Sequence, residues 1–510
     1  VGGMIGSGWL FGPLATATQA GPLSIWSWII CGVIVMLIAL VFAELATLFP
    51  LSGALVHMSH VSHGARLGFI WTWVLILAYV AIAPIETMAI VTYADAYIPG
   101  LTDTQTGVLT THGLILASAL LGVMVALNFF MIRTVLGMNT WATWWKILIP
   151  VATVVVLLSY SWHPENLNFA APHKGTEGIF TAIATGGVFF SLFGFRQAID
   201  LAGESTNPGR NLPIAIIGTV LIGTLIYVAL QFAFLMAVPP SMLAKGGWAG
   251  LKLGNLIGPL ASLATIVGAS WWASILYADA VISPGACGFV FTTTTSRIVM
   301  ASAQTQTLPA LFARVNSNGV PWVSLIATYI VGLIFFFPFP SWQKMVGYIS
   351  AITVLSYGIG PILLLRLRQA LPDAHRPFRL WGAYVIAPIA FISANWIILW
   401  SGTPTINFLF QVIALIVMVH GIYHFILSRQ SLARYEWQGA AWLVPYFGGI
   451  WVISRYSAHD LGGNGSLSFS STMLISMVFS LFVFVLAMKT SRSDAQIKAS
   501  FEAMLKNGST

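Results

Sequence analysis

Charge is what this sequence has least of. Asp, Glu, Lys and Arg make up 7% of its 510 residues, against roughly a quarter in a soluble globular domain. So few charges cannot cover a water-facing surface. The hydrophobic share is 58%, gathered from end to end in runs near the ~20 residues that a bilayer core demands. A soluble fold is excluded, and an all-α integral membrane protein is the class that remains.

Other absences narrow the function. There are two cysteines, Cys31 and Cys287, both inside predicted spans, and small buried residues are the expected role rather than redox or metal chemistry. No CxxC, HExxH, P-loop or Gly-rich strand-to-helix fingerprint occurs, and the loops lack a nucleophile–base or clustered His/Asp arrangement. The reading is therefore not an enzyme, with no cofactor and no metal. A non-transporting sensing receptor in the membrane is one alternative, but the longest polar stretches, about twenty residues, leave no room for a signalling domain. No cleavable signal-peptide pattern is present. The chain opens inside an apolar segment, Val1-Gly2-Gly3-Met4, without an initiator Met, and upstream residues including the first half of helix 1 are expected to be missing from it.

Hydropathy places spans at about 1–18, 23–48, 67–97, 113–132, 139–160, 178–199, 212–237, 258–290, 320–338, 342–366, 381–400, 405–428, 438–456 and 468–489, fourteen in all. Of the 22 Lys and Arg residues, fifteen fall in one set of alternate loops, among them Arg66, Arg210, Arg297, Arg366, Arg368, Arg376 and Arg492. The other set holds Lys174, Lys245, Lys252 and Arg455. Positive charge marks the cytoplasmic side, which puts both termini in the cytoplasm of a multi-pass cell-membrane protein. The formal charge of +8 is thus topology, with the lipid bilayer as partner and no nucleic acid.

Two glycine-broken stretches stand out. The first is Gly2-Gly3-Met4-Ile5-Gly6-Ser7-Gly8-Trp9-Leu10-Phe11 and the second Gly186-Gly187-Val188-Phe189-Phe190-Ser191-Leu192-Phe193-Gly194-Phe195-Arg196, opening the sixth helix. Each interior glycine costs a helix about 1 kcal/mol, so unwound backbone is expected in both. Loose N–H groups before a helix N-terminus suit a carboxylate. Interrupted helices at matched places in two halves point to a transporter's midplane site; glycines that merely allow close helix packing are the other account.

Ile5-Gly6-Ser7-Gly8-Trp9-Leu10-Phe11 resembles the first-helix signature of the amino acid–polyamine–organocation (APC) transporter superfamily. Phe42-Ala43-Glu44-Leu45-Ala46 through Phe49-Pro50-Leu51-Ser52-Gly53 resembles the end of its second helix. Phe193-Gly194-Phe195 through Leu201-Ala202-Gly203-Glu204-Ser205-Thr206-Asn207-Pro208 and Leu212-Pro213 resembles its sixth, and Ser283-Pro284-Gly285 through Ser296-Arg297 its eighth. The resemblance implies a five-plus-five inverted repeat with discontinuous helices 1 and 6. The repeats would be 1–160 and 178–366, followed by helices 11 and 12 in 381–428. Two additional helices in 438–489, as in fourteen-helix members that include aspartate–proton symporters, and a cytoplasmic tail at 490–510 complete the chain. It implies an amino acid as substrate, carried by proton symport, with amino acid exchange as the alternative.

Residues for that task can be named. A zwitterion needs donors on one side and acceptors on the other. Ser7, Gly6, Gly8 and Trp9 lie where N–H groups would meet its carboxylate, and carbonyls at Met4, Ile5, Phe190, Ser191 and Phe193 would meet its ammonium, as the family binds its substrates. Phe190, Phe193 and Phe195 are candidates to cover the site, or plain packing. Arg196 follows Gly194-Phe195 where many relatives, notably carriers of cationic substrates, have an acid. A guanidinium there can clamp a second carboxylate, which favours aspartate or glutamate. Pairing with Asp200 at i+4, with Glu86 or with Asp279 is the structural alternative. Lys146, in Trp144-Trp145-Lys146, resembles a lysine of proton-coupled relatives that approaches helix 1; desolvation presses a buried ammonium to shed its proton. Glu86 and Asp279 are the other deep acids, as relays or neutralising partners. Glu44, Asp200 and Glu204 are read as caps or ion pairs with Arg210 or Arg297. Lys344 is read as snorkelling to the surface, and His57, His60 and His63 as a solvated loop rather than a metal site or pH sensor.

Overall fold

The computed structural model describes residues 2–51, 53–103, 106–130, 132–169, 176–200, 202–244, 246–253, 258–305, 307–426 and 437–508. Ser52, Lys174, Leu201 and Lys245, named above, lie outside the described residues, as does the side chain of Glu204. Among the described residues the chain is helical, and its β pairing is a single bridge between Thr102 and Leu109.

The first half of the core comprises α1 (Gly8–Ala20), α2 (Ser24–Leu48), a short α3 (Ala54–His63), the tandem α4 (Ala65–Val80) and α5 (Ile82–Ala94), α6 (Thr111–Phe130) and α7 (Ile132–Tyr160). The second half begins with α8 (Glu177–Thr185), α9 (Val188–Leu192) and α10 (Gln197–Asp200). It continues through α11 (Pro208–Ala237), the one-turn α12 (Pro240–Leu243), α13 (Pro259–Ile266), α14 (Ser270–Gln304), α15 (Trp322–Ile334) and α16 (Trp342–Ala370). Then come α17 (Ala383–Trp400), α18 (Thr403–Ile426), α19 (Leu443–Tyr456), α20 (Phe469–Thr490) and α21 (Asp494–Gly508). Nine of the described helices are long and apolar enough to cross a bilayer, or ten with one bent pair; Trp322–Ile334 and Thr403–Val419 are shorter apolar helices. The molecule is a multi-pass membrane protein.

Local sequence explains the breaks. Gly187 sits at φ +87°, a conformation that side chains with a Cβ resist, and there the stretch Glu177–Thr185 turns by 55° against Val188–Asp200. The bend lies inside the sixth apolar stretch rather than at its opening, because Glu177 already starts a helix. A second interruption follows as a 3₁₀ turn over Phe193–Arg196. Gly2 to Ser7 form turns and bends ahead of α1.

The packing is organised around these breaks. The outer half of one broken stretch, α1, lies on α8 and α9, while α2 packs on α11, α5 on α14 and α6 on α15. Most of α2, α4, α5 and α16 is buried, which explains why their apolar runs show no polar face. Gln231 on α11 is fully buried; it accepts from Thr16 Oγ1 at 2.6 Å and Trp28 Nε1 at 2.9 Å, joining α1, α2 and α11.

On the arginine-rich face two expectations change. Glu44 pairs with Arg368 and Arg376 rather than with Arg210 or Arg297: Arg368 Nη2 lies 2.5 Å and Arg376 Nε 3.2 Å from its carboxylate, and Leu380 N–H donates to it at 2.7 Å. A fully buried carboxylate requires this many donors. The three histidines lie on α3, not in a solvated loop, and His63 is fully buried between Ser62 and the Ala487 carbonyl. Among the described residues no group of three or more His, Cys, Asp or Glu can hold a metal ion.

Candidate functional site

The two glycine-rich stretches touch. A Cβ on Gly8 would stand 2.2 Å from Ser191 Oγ and 3.1 Å from Ser191 Cα, and one on Gly194 would stand 2.3 Å from the Gly3 carbonyl oxygen and 2.6 Å from Met4 Cα. Glycine at both positions lets backbone approach backbone deep in the bundle.

Side chains from other helices hold the first stretch. The Ser7 N–H donates to Glu86 Oε2 at 2.8 Å, so this donor is taken, not free as the sequence led one to expect. Gly6 makes room for it: a Cβ there would meet Glu86 Oε1 at 2.3 Å. Trp342 Nε1 donates to Ser7 Oγ at 2.9 Å, Tyr227 Oη to the Met4 carbonyl at 3.3 Å, and Lys146 Nζ to the Gly2 carbonyl at 2.6 Å. Lys146, Glu86 and Asp279 are all buried. Ionisable groups at such depth are costly and are usually functional. Asp279 takes its bonds from Trp145 Nε1 at 2.8 Å and Ser283 Oγ at 2.7 Å, while its Oδ2 has no hydrogen-bond partner.

The second stretch carries Arg196, buried to 1% exposure. Its Nη1 donates to Ser356 Oγ at 2.7 Å and its Nε lies 3.6 Å from Asp200 Oδ2. Of the partners considered from sequence, Asp200 is the one found at ion-pair distance. The guanidinium carbon lies 4.7 Å and 4.9 Å from the ring centres of Tyr79 and Tyr357, and Tyr79 also donates to Asp200. Arg196 Nη2 has no hydrogen-bond partner. Tyr357 Oη donates to the Phe193 carbonyl at 2.6 Å.

Aromatic rings close the site. Phe11 stacks on Trp342 with centres 4.8 Å apart, Phe190 meets Trp342 edge-on at 5.8 Å, and Phe193 contacts Phe190 and Phe291 at 5.4 Å and 5.6 Å. Phe195 packs on Tyr357 and Phe42 instead. Phe11 also lines a cavity of about 400 Å³ together with Leu14, Thr18, Gln19, Asp103 and Lys344. Lys344 is exposed at the edge of this cavity.

A non-helical stretch held by a buried carboxylate and a buried ammonium, with aromatic rings against it, thus lies deep in the bundle. A family model described as amino acid permease matches residues 1–423. The chain belongs to this family. It is a permease and not an enzyme. It is 36% identical to the glutamate/serine transporter AimA of Bacillus subtilis (strain 168), over 100% of this chain and 95% of the relative. It is 34% identical to the aspartate-proton symporter of the same organism, over 98% and 95%. The branched-chain amino acid permease BcaP is more distant, 26% identical over 80% of this chain and 86% of its own.

Sequence reasoning missed Tyr227, Trp342, Tyr357, Tyr79 and Ser356. Nothing in spacing separates a tyrosine that grips a broken helix from one that packs. Gln231 was within reach, since an uncharged amide in the middle of a long apolar run asks for partners.

Proposed function

We propose that this permease carries an acidic amino acid, aspartate or glutamate, across the cell membrane together with a proton. Its core is a five-plus-five inverted repeat over 1–160 and 178–366 with discontinuous helices 1 and 6. Helices 11 and 12 follow in 381–428, and two further helices in 438–489 bring the crossings to fourteen, with both termini and the 490–510 tail in the cytoplasm. Support for the repeat comes from packing: α1 with α8 and α9, α2 with α11, α5 with α14 and α6 with α15 are pairs that a two-fold axis would bring together.

One observation carries the mechanism: a resident carboxylate, Glu86, sits on the Ser7 N–H. Ionised, Glu86 is an acceptor only; protonated, it gains an O–H donor and holds that N–H only through a neutral, weaker acceptor. Substrate carboxylate and ionised Glu86 compete for one donor, so binding of an anionic head favours a proton on Glu86. Lys146, held to Gly2, senses the same backbone and is the second proton carrier, with Asp279 beyond it. The ammonium meets carbonyls at Met4, Ile5, Phe190, Ser191 and Phe193, with Gly6, Gly8 and Gly194 letting it approach. The open Nη2 of Arg196 takes the side-chain carboxylate, and two relatives are named for glutamate and aspartate.

The test is uptake of labelled aspartate and glutamate into proteoliposomes with and without an inward proton gradient. Symport expects gradient-stimulated uptake. Uptake that responds only to amino acid inside the vesicle means exchange, and discards the proton route.

A further inference from the structure

The last helix is docked on the arginine-rich face, against the two elements that the buried Glu44 cluster joins. Glu44 lies at the end of α2 and Arg368 at the end of α16. Two residues before Arg368, Arg366 turns to the tail: its Nε reaches Ser491 Oγ at 2.5 Å and its Nη2 reaches the Arg492 carbonyl at 2.7 Å and Asp494 Oδ1 at 2.5 Å. Five residues after Glu44, Phe49 meets Phe501 of α21 edge-on at 5.2 Å. Ile497 is fully buried. The tail is also stitched to α3, where Arg492 N–H donates to the Ser62 carbonyl at 3.0 Å and Arg492 Nη1 to the His60 carbonyl at 3.3 Å.

Elsewhere on α21, Gln496, Lys498 and Glu502 are exposed, while Met504 packs half-buried against the core. Such a helix has one apolar stripe, Ile497, Phe501 and Met504 at i, i+4 and i+7, and that stripe is spent on the base of the transporter. A short helix in water owes its structure to such packing, so docking and folding of the tail are one event.

We propose that α21 is a brake: docked, it ties α2, α3 and α16 together over the Glu44 cluster and holds the arginine-rich face closed; undocked, it lets that face open faster. The ion cluster and the tail act on the same two helices, so loosening either weakens one closure. This goes beyond the transport reading and does not need it.

The experiment uses a cysteine at Ala370, the buried last residue of α16. The native Cys31 and Cys287 are both buried, and the labelling they give in each chain without the new cysteine is subtracted. The A370C protein is labelled with a soluble maleimide in detergent, where both faces are open. Labelling is compared among the full chain, a chain ending at Ser493, and Phe501→Ala. The brake expects labelling faster by about threefold or more in both variants, as a shifted two-state equilibrium requires, and faster initial uptake of whichever amino acid the full chain carries. Unchanged labelling in variants that remain monodisperse overturns the proposal, as does uptake that slows while labelling rises. Phe501→Ala keeps the backbone intact if the shortened chain fails to fold. Because labelling is read without substrate, failure of the transport reading leaves this result standing.

Discussion

The two glycine-rich stretches solve the same problem in opposite ways. Residues 2–8 have given up helical bonds, and side chains of four other elements fill the gap: Glu86 on α5, Lys146 on α7, Tyr227 on α11 and Trp342 on α16. Residues 186–196 bend at Gly187 but keep local bonds, with Ser191 N–H and Oγ both donating to the Gly187 carbonyl at 2.9 Å and 2.8 Å. Tyr357 donates to its backbone from outside, at the Phe193 carbonyl. Bonds lent by distant side chains can be exchanged for bonds to a ligand, whereas bonds within one helix cannot. On the proposed function, the first stretch is the exchangeable half of the site and the second the rigid half.

The contact between the halves is the place to break both at once. In Gly194→Ala the three atoms nearest the new Cβ are backbone, at 2.3 to 2.6 Å, so no rotamer change relieves the clash. Overpacking costs about 1–3 kcal/mol where side chains can shift, and this site is worse. Uptake should be abolished and thermal stability lowered. Gly218→Ala, with nothing within 4 Å of its Cβ, should transport normally and be slightly stabilised, since a mid-helix glycine costs up to about 1 kcal/mol. A normally active Gly194→Ala would mean that the two stretches do not need to touch.

If the first stretch is exchangeable, the resident carboxylate sets the coupling. Glu86→Gln keeps an acceptor for Ser7 but removes the charge that titrates. Gradient-driven uptake should fall to the gradient-free level while exchange of labelled for unlabelled substrate continues. Glu86→Leu orphans a buried N–H at about 1–3 kcal/mol and should lose both. Retained gradient stimulation in Glu86→Gln would move the proton to Lys146 or Asp279. The rigid half should be more tolerant: Tyr357→Phe deletes one hydrogen bond worth about 0.5–1.5 kcal/mol, and should slow uptake by no more than about tenfold. A larger loss would show that residues 186–196 also depend on borrowed bonds.

How much of this was legible follows the same division. The class was visible, and so were nine or ten of the fourteen expected spans among the described residues, because hydrophobic length acts locally; glycine placement likewise marked the turns over Gly2 to Ser7 and the bend at Gly187. Lys146, Glu86 and Asp279 were visible because a charge in an apolar run is conspicuous. Their partners were not. Whether Arg196 meets Asp200, Glu86 or Asp279, and whether Glu44 meets Arg297 or Arg368, depends on which helix ends the bundle brings together, and residues 44 and 368 are joined only by the fold. The α3 histidines were misread for the same reason, since a polar stretch between two spans gives no sign that a tail hundreds of residues later will cover it.

That tail offers the mildest contrast, between a site buried by the bilayer core and one buried by the chain's own end. Burial pulls His63 down from 6.5 to about 4, against the raising effect of its bond to the Ala487 carbonyl and helped by nearby Arg366. Burial, with His57 and Arg492 alongside, pulls His60 down to about 4 as well. A histidine depressed on burial stabilises the docked form fully above its free value, and that contribution is lost as pH falls from about 6.5 towards 4. At pH 5 the loss for His63 is about 2 kcal/mol by linkage; His60, partly exposed, loses less. Amide exchange in residues 494–508, corrected for the intrinsic rate at each pH, should therefore speed up between pH 7 and pH 5, with only a modest change in uptake. His63→Asn, which cannot titrate, should flatten the profile. Protection that stays constant through pH 5 in the unmodified chain would mean that α21 and the α3 histidines are not energetically joined, and that the contact at Phe49 and Phe501 alone holds the tail.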